Sequence, residues 1–245
     1  MLSFLKDHPF AVKAFFKSST VLTFAIPEAE LLPLIPECLE LDAHEGFGFI
    51  AVAMVQTEDL RMQGFPKFLG NDFFLIGYRI FVKYHTSAGK RLRGLYIIKS
   101  ETDKKKMEFF GNIFTHYNYT TTDISIKNSD NKTVISSEKS DFKLEISPNE
   151  IDVPLPENSI FKDWKEARRF AGPLPFTFTY NADKKEVLII EGVRQNWKPE
   201  PLKVENYHFS FLEKFKFKKI VLANAFVIEN IPYRWKKGKI DQWKS

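Results

Sequence analysis

Gly94-Leu95-Tyr96-Ile97-Ile98-Lys99, followed by Phe109-Phe110-Gly111-Asn112-Ile113-Phe114-Thr115-His116, decides the fold of this chain. The first run is apolar on successive positions and predicts a strand covered on both faces. The charged residues 102–110 predict a short helix, and Gly111 marks a return into a second, aromatic strand over residues 113–126. Outward from this unit the pattern is dominated by β-structure. Residues 19–26, 39–42, 47–57, 72–84, 92–100, 132–137, 140–146, 176–180, 186–192 and 204–212 read as strands. Glu45-Gly46 reads as the turn of a hairpin joining 39–42 to 47–57. Residues 9–17, with Phe10, Val12, Phe15 and Phe16 at helix-like spacing, predict an amphipathic helix. Residues 27–35 and 161–170 predict two more, the former opened by Pro27.

Connections of hairpin length imply antiparallel neighbours, because parallel neighbours need long crossovers. The Pro-rich, acidic stretch 148–156 resembles a linker, yet neither half has an obviously self-sufficient core. The expectation is one domain over residues 1–245, α+β and mostly antiparallel β. About ten strands would curl into a closed or partly closed β-barrel with a few flanking short helices, since closure removes exposed sheet edges.

Composition narrows the function classes. Apolar content is 44% and charged content 27%, ordinary for a soluble globular protein. The 25 Phe imply a core of aromatic rings carried on strands. No apolar run reaches the roughly 20 residues that span a bilayer. Charge and Pro9 interrupt the N-terminal residues before a signal-peptide core forms. A single cysteine, Cys38, excludes an internal disulfide and fits a reducing, cytoplasmic setting. The net charge of +5 sits in clusters at 104–106, 214–219 and 234–239. Such clusters suit anionic surfaces or, more commonly, solvated faces, and no zinc-knuckle, RNP or recognition-helix pattern accompanies them.

Three further passages carry a resemblance. Residues 21–41, with Leu31-Leu32-Pro33 and Leu39-Glu40-Leu41, resemble the first strand, helix and turn of acetoacetate decarboxylase-like proteins. Gly77-Tyr78-Arg79-Ile80-Phe81-Val82 into Gly94-Leu95-Tyr96 resembles their central hairpin. Asp163-Trp164, with Val193-Arg194-Gln195-Asn196-Trp197-Lys198-Pro199, is closer to domain-of-unknown-function family 2071, an uncharacterised branch of the same superfamily. The resemblance implies the barrel and a small-molecule pocket. It also places the decarboxylases' Schiff-base lysine near Phe114 or Thr115, and their pocket glutamate near Leu75 or Ile76. None of these four side chains forms an imine or ionises as a carboxylate, so imine chemistry is not expected.

Candidate groups follow, each with two readings. Arg79 either pairs structurally or clamps a ligand carboxylate or phosphate inside the barrel. His116 is either a satisfied core histidine or a general acid–base group. Arg194, Asn196 and Trp197 either line the pocket mouth or lock a loop. Lys99 pairs with Glu101 or Asp103, or acts as a desolvated amine. Glu108 reads as surface, Cys38 as inert, and Tyr233-Arg234-Trp235-Lys236 as a packed tail. The five histidines share no metal-ligand spacing, so neither a metal nor another cofactor is expected.

The leading reading is a cytoplasmic barrel protein binding a small carboxylate or carbonyl compound. It has no membrane span, and self-association is left open. The first alternative is a lysine-independent lyase with His116 as proton shuttle. The second is a basic nucleic-acid or membrane-surface protein. The pocket reading requires Arg79 and His116 to converge on one cavity.

Overall fold

A long strand that joins the strand expected at 19–26 to residues expected to be helical begins the main sheet. In the computed structural model, which describes residues 3–147, 151–171 and 174–243, β1 runs Val12–Pro27. Pairing of β1 with β3 shifts register between Lys13 and Phe15 and between Phe16 and Ser18. Each bulge displaces the two-residue alternation, so a bulged strand imitates helical spacing in sequence. The expected helix at 9–17 is therefore replaced by strand, with a 3₁₀ turn before it at Ser3–Asp7.

The elements that follow are α1 (Glu28–Leu31), β2 (Glu40–Leu41), β3 (Phe47–Met62), β4 (Asn71–His85) and β5 (Arg91–Thr102). Next come α2 (Lys105–Phe114), β6 (Tyr119–Thr121), β7 (Ser125–Ser129), β8 (Lys132–Ser137) and β9 (Phe142–Ser147). The remainder comprises α3 (Trp164–Ala171), β10 (Phe176–Asn181), β11 (Glu186–Arg194), β12 (Glu200–Pro201) and β13 (Lys203–Phe209). Finally come α4 (Ser210–Glu213), β14 (Val221–Trp235) and β15 (Lys239–Gln242). The architecture is α+β and mostly β, as expected. Pairing is antiparallel throughout the described residues except where β5 meets β6 and β10.

Two other expectations need correcting. β2 does not form a hairpin with β3; it pairs with β4 through Glu40↔Lys83 and Leu41↔Val82. β3 already pairs with β1 and β4, and its register with β4 stops at Ile80, leaving that edge of β4 for β2. The buried Asp42 carboxylate holds the junction, 3.1 Å from Lys83 Nζ and 2.6 Å from Arg93 Nη2. The aromatic run after Gly111 is helix through Phe114, and strand resumes only at Tyr119. Asn112 clamps that return: its Nδ2 donates to Tyr119 O at 2.9 Å and its Oδ1 accepts from Tyr119 N at 2.7 Å. Gly111 is buried where the Tyr119 ring leaves no room for a side chain.

The main sheet pairs in the order β14–β1–β3–β4–β5–β10–β11. β11 then pairs again with β14 through Gly192↔Trp235, Val193↔Arg234 and Arg194↔Tyr233, so the path returns to its start. One face carries Leu22, Phe24, Ile50, Val52, Met54, Ile76 and Tyr78 and is covered by the second sheet, β13–β9–β8–β7, through Phe142, Leu144, Ile146 and Phe209. The opposite face carries Ala25, Phe49, Ala51, Ala53, Val55 and Phe81, packed with Phe161 and Phe170 beside α3. Alternation along β3 and β4 sends successive side chains to these two cores. Val153, in the stretch read as a linker, is buried, and its carbonyl accepts from Trp164 Nε1 at 2.9 Å; residues 148–150 of that stretch lie outside the described residues. Among the described residues no helix is long and apolar enough to cross a membrane.

Candidate functional site

The face that carries Phe49 and Phe81 is not filled along its whole length. Beyond Val21, Val55 and Leu75 the Phe cluster gives way to a cavity of about 160 Å³. Every strand of the returning path contributes to its wall, together with His8 and residues just after α2. Its described lining contains two arginines and three tyrosines but no lysine, aspartate or glutamate.

Arg79 stands on β4 two positions before Phe81, so alternation aims it at the same face. A register shift between Tyr78 and Arg79 lies at this point of the β4–β5 pairing. The side chain lies along its own strand, over Gly77. A Cβ at Gly77 would come within 3.0 Å of Arg79 Nε and 3.2 Å of Nη2, which makes glycine the residue that admits the guanidinium. Arg79 Nε is buried and finds no hydrogen-bond partner, and among the described residues no carboxylate lies within ion-pair distance. Burial lowers its pKa from the ordinary arginine value, while Tyr233, Tyr119 and Tyr117 nearby work against that shift. An arginine stays protonated in either case.

Arg194 ends β11 and meets the same cavity. Its guanidinium stacks 4.4 Å from the Trp197 ring centroid and 5.7 Å from that of Tyr233. Nη1 donates to Tyr233 Oη at 3.3 Å, whereas Nη2 and Trp197 Nε1 are buried without acceptors. Burial lowers the Arg194 pKa, and the positive charge of Arg79 adds to the effect. Tyr117 donates to or accepts from Thr177 Oγ1 at 2.7 Å, and burial pushes its hydroxyl up to about 12. The tyrosine hydroxyls therefore stay protonated at neutral pH.

His8 is the functional candidate that sequence reasoning missed. It is 7% exposed and lines the cavity. Its Nδ1 lies 2.8 Å from Phe10 O, and since a carbonyl only accepts, Nδ1 carries the proton and Nε2 is left as a base. Burial lowers its pKa to about 4. No local motif marks it. A positive φ of 53° and the bond from Gly238 N to His8 O, 2.9 Å, set its placement, and both come from long-range packing.

The other expected residues separate. Arg79, Arg194 and Trp197 converge; His116 and Asn196 do not join them. His116 Nε2 sits 3.2 Å from Asp7 Oδ1 with its side chain 34% exposed, because α2 continues past the expected strand start and turns this residue toward the N-terminal segment. The expected convergence of Arg79 with His116 therefore fails, and a cavity reading has to rest instead on Arg79 with Arg194 and Trp197. Asn196 is exposed at φ 57° in the loop after β11. Tyr233 and Trp235, read as tail, belong to β14 and line the cavity.

Lys99 faces a separate open groove of about 1100 Å³ together with Glu101, Lys105, Glu108, Lys139 and Lys214. There Lys99 Nζ pairs with Glu101 at 2.9 Å, Ser140 donates to Glu101, Thr121 donates to Glu108 and Lys139 donates to Thr121 O. The groove is larger, but no buried donor among its described lining residues lacks an acceptor, so the smaller cavity, which holds three such donors, is the candidate site. Cys38 is buried and burial pushes its thiol up to about 12, which leaves it unreactive.

Comparison with known proteins agrees with this fold. No curated protein sequence matches the chain. Among solved structures, acetoacetate decarboxylase from Legionella pneumophila superposes with a TM-score of 0.63 at 12% identity, covering 94% of this chain and 86% of that one. An acetoacetate decarboxylase-like enzyme from Sphingomonas wittichii RW1 gives 0.55 at 12%, covering 98% and 94%. The enduracididine biosynthesis enzyme MppR complexed with pyruvate gives 0.53 at 8%, covering 95% and 90%. At these identities the likeness is one of fold. A family model matches residues 14–241, and the chain belongs to domain-of-unknown-function family 2071, described as an uncharacterized conserved protein.

Proposed function

We propose that the returning strand path acts as a barrel around the cavity, and that the chain binds a small carboxylate or carbonyl compound there. The observation that carries this reading is Arg79: a permanent charge on a half-buried side chain, its Nε buried without an acceptor and no carboxylate beside it among the described residues. Burying such a group is costly unless a counter-charge arrives, and a ligand oxyanion supplies one. The volume suits roughly five to ten non-hydrogen atoms, taking about 15–30 Å³ for each water-sized unit. MppR, of the same fold, has been solved with pyruvate, which supports the ligand class without assigning it.

No lysine stands among the described lining residues, which supports a reading without imine chemistry. Thr115, where the resemblance puts the decarboxylase lysine, lines the cavity and donates its hydroxyl to Gly111 O at 2.8 Å. Leu75, near the glutamate position, is part of the apolar wall. The second reading, lysine-independent lyase chemistry, moves from His116 to His8, whose free Nε2 borders the cavity. The polyanion reading loses support, since Lys105 and Lys214 share their groove with Glu101, Glu108 and Asp141.

The test is a thermal-shift series with small monocarboxylates and keto acids. Stabilisation of the native chain and its loss in Arg79→Ala is the expected result; equal shifts in both proteins remove Arg79 from the site. Borohydride treatment with pyruvate leaves no adduct on this reading, and a covalent product on any lysine overturns it.

A further inference from the structure

The orphaned polar atoms of the cavity share one character. Arg79 Nε, Arg194 Nη2 and Trp197 Nε1 are all donors, all buried and all without acceptors. The two guanidinium groups are held close enough for the charge on one to disfavour the charge on the other, with Tyr233 beside both. No acidic side chain among the described lining residues offsets either charge. The stack on Trp197 and Tyr233 spreads the Arg194 charge over two ring faces but leaves its Nη2 proton unused. One carboxylate would neutralise one arginine and leave the second charge buried.

We propose, resting on the cavity reading above, that the ligand is a dianion: one oxyanionic charge on Arg79, a second on Arg194 with Trp197 Nε1 donating to the same end, and a short apolar body against Leu75 and Ile97. Two chemistries share this description, a dicarboxylate and a phosphate monoester, the latter carrying about −1.5 to −2 charges at neutral pH. Both fall within the size the cavity admits.

Titration calorimetry of the intact chain at neutral pH with butyrate, succinate and ethyl phosphate tests the proposal. A dianion should bind about 10- to 100-fold tighter than butyrate, the span of one charge-assisted hydrogen bond gained. Whether succinate or ethyl phosphate is the tighter of the two names the source, and either order supports the proposal. Arg194→Gln should cut the preference for either dianion over butyrate to about threefold, and Arg194→Lys should restore part of it. Salt should weaken the dianion more steeply than butyrate in the native chain, which needs no variant at all. Equal affinity for butyrate and both dianions, or a preference that survives Arg194→Gln, overturns the dianion and leaves the carboxylate cavity standing. Absence of binding by all three probes overturns both.

Discussion

Two stretches of one sheet face solve the problem of burial in opposite ways. At one end Phe49 stacks with Phe161 at 5.6 Å and meets Phe170 at 5.2 Å and Phe81 at 5.8 Å, and every ring is buried. At the other, two residues along β4, the same face holds an arginine with an unused donor beside a cavity of about 160 Å³. The strands and their alternation are the same. What differs is that the first end completes its contacts within the chain, while the second leaves Arg79 Nε, Arg194 Nη2 and Trp197 Nε1 without acceptors among the described residues. A residue removed from the first end should cost stability; a charge removed from the second should return it.

The largest effect is therefore expected at the packed end. Phe49→Ala should lose about 3–5 kcal/mol of unfolding free energy in denaturant titration, through lost burial plus the cavity left behind. A loss below about 1 kcal/mol would mean that the two ends are equally loose, which ends the contrast.

Next in size is a pH effect at the cavity wall. His8 titrates near 6.5 in the unfolded chain and near 4 in the folded one. Between those values the unfolded state binds the extra proton, so stability falls as pH drops from about 6.5 to about 4, by about 3 kcal/mol in all. His8→Asn, which tolerates the positive φ, should flatten that part of the stability–pH curve. An unchanged slope would show that His8 charges as readily in the folded protein as in the unfolded one.

Smaller, and opposite in sign to Phe49→Ala, is Arg79→Met. The unliganded protein should gain about 1 kcal/mol, since an uncompensated, half-buried charge is replaced by an apolar chain of similar length. Destabilisation by this change would reveal a structural partner for Arg79 and merge the two ends into one kind of core. Asp42 supplies the control, being a buried carboxylate that already has Lys83 and Arg93. The smallest effect belongs to Gly77→Ala, whose added methyl displaces the guanidinium by a few tenths of an ångström. Carboxylate affinity should fall about three- to fivefold with stability shifted by less than about 0.5 kcal/mol.

Much of this molecule was legible in residue order. The strands around residues 47–57, 72–84 and 92–100 appear where hydrophobic runs placed them, because long β-branched and aromatic runs buried on both faces leave little choice. Arg79 stood out as a charge inside such a run, and Arg194 with Trp197 as a cation beside an aromatic ring; both readings meet at the cavity. The failures have identifiable causes. Bulges in β1 counterfeited a helix. Asn224, Asn230 and Pro232 interrupted the pattern of β14 and hid a strand that pairs with β1 along most of its length. His116 is a candidate through the family resemblance of the Gly111-to-His116 spacing, yet the Gly111–Tyr119 packing and the Asn112 clamp turn the start of that run into helix.

Residue order by itself determined that this chain would be a Phe-rich, mostly antiparallel β protein with an arginine in a buried strand, since burial patterns and permanent charges are properties of side chains in succession. Only the tertiary structure decided which groups keep company: that β14 returns to β11, that Arg194 and Trp197 come to Arg79, and that His8 rather than His116 borders the cavity. These are contacts between residues far apart in the chain, set by register and by the docking of the N-terminal segment, and no local preference encodes them.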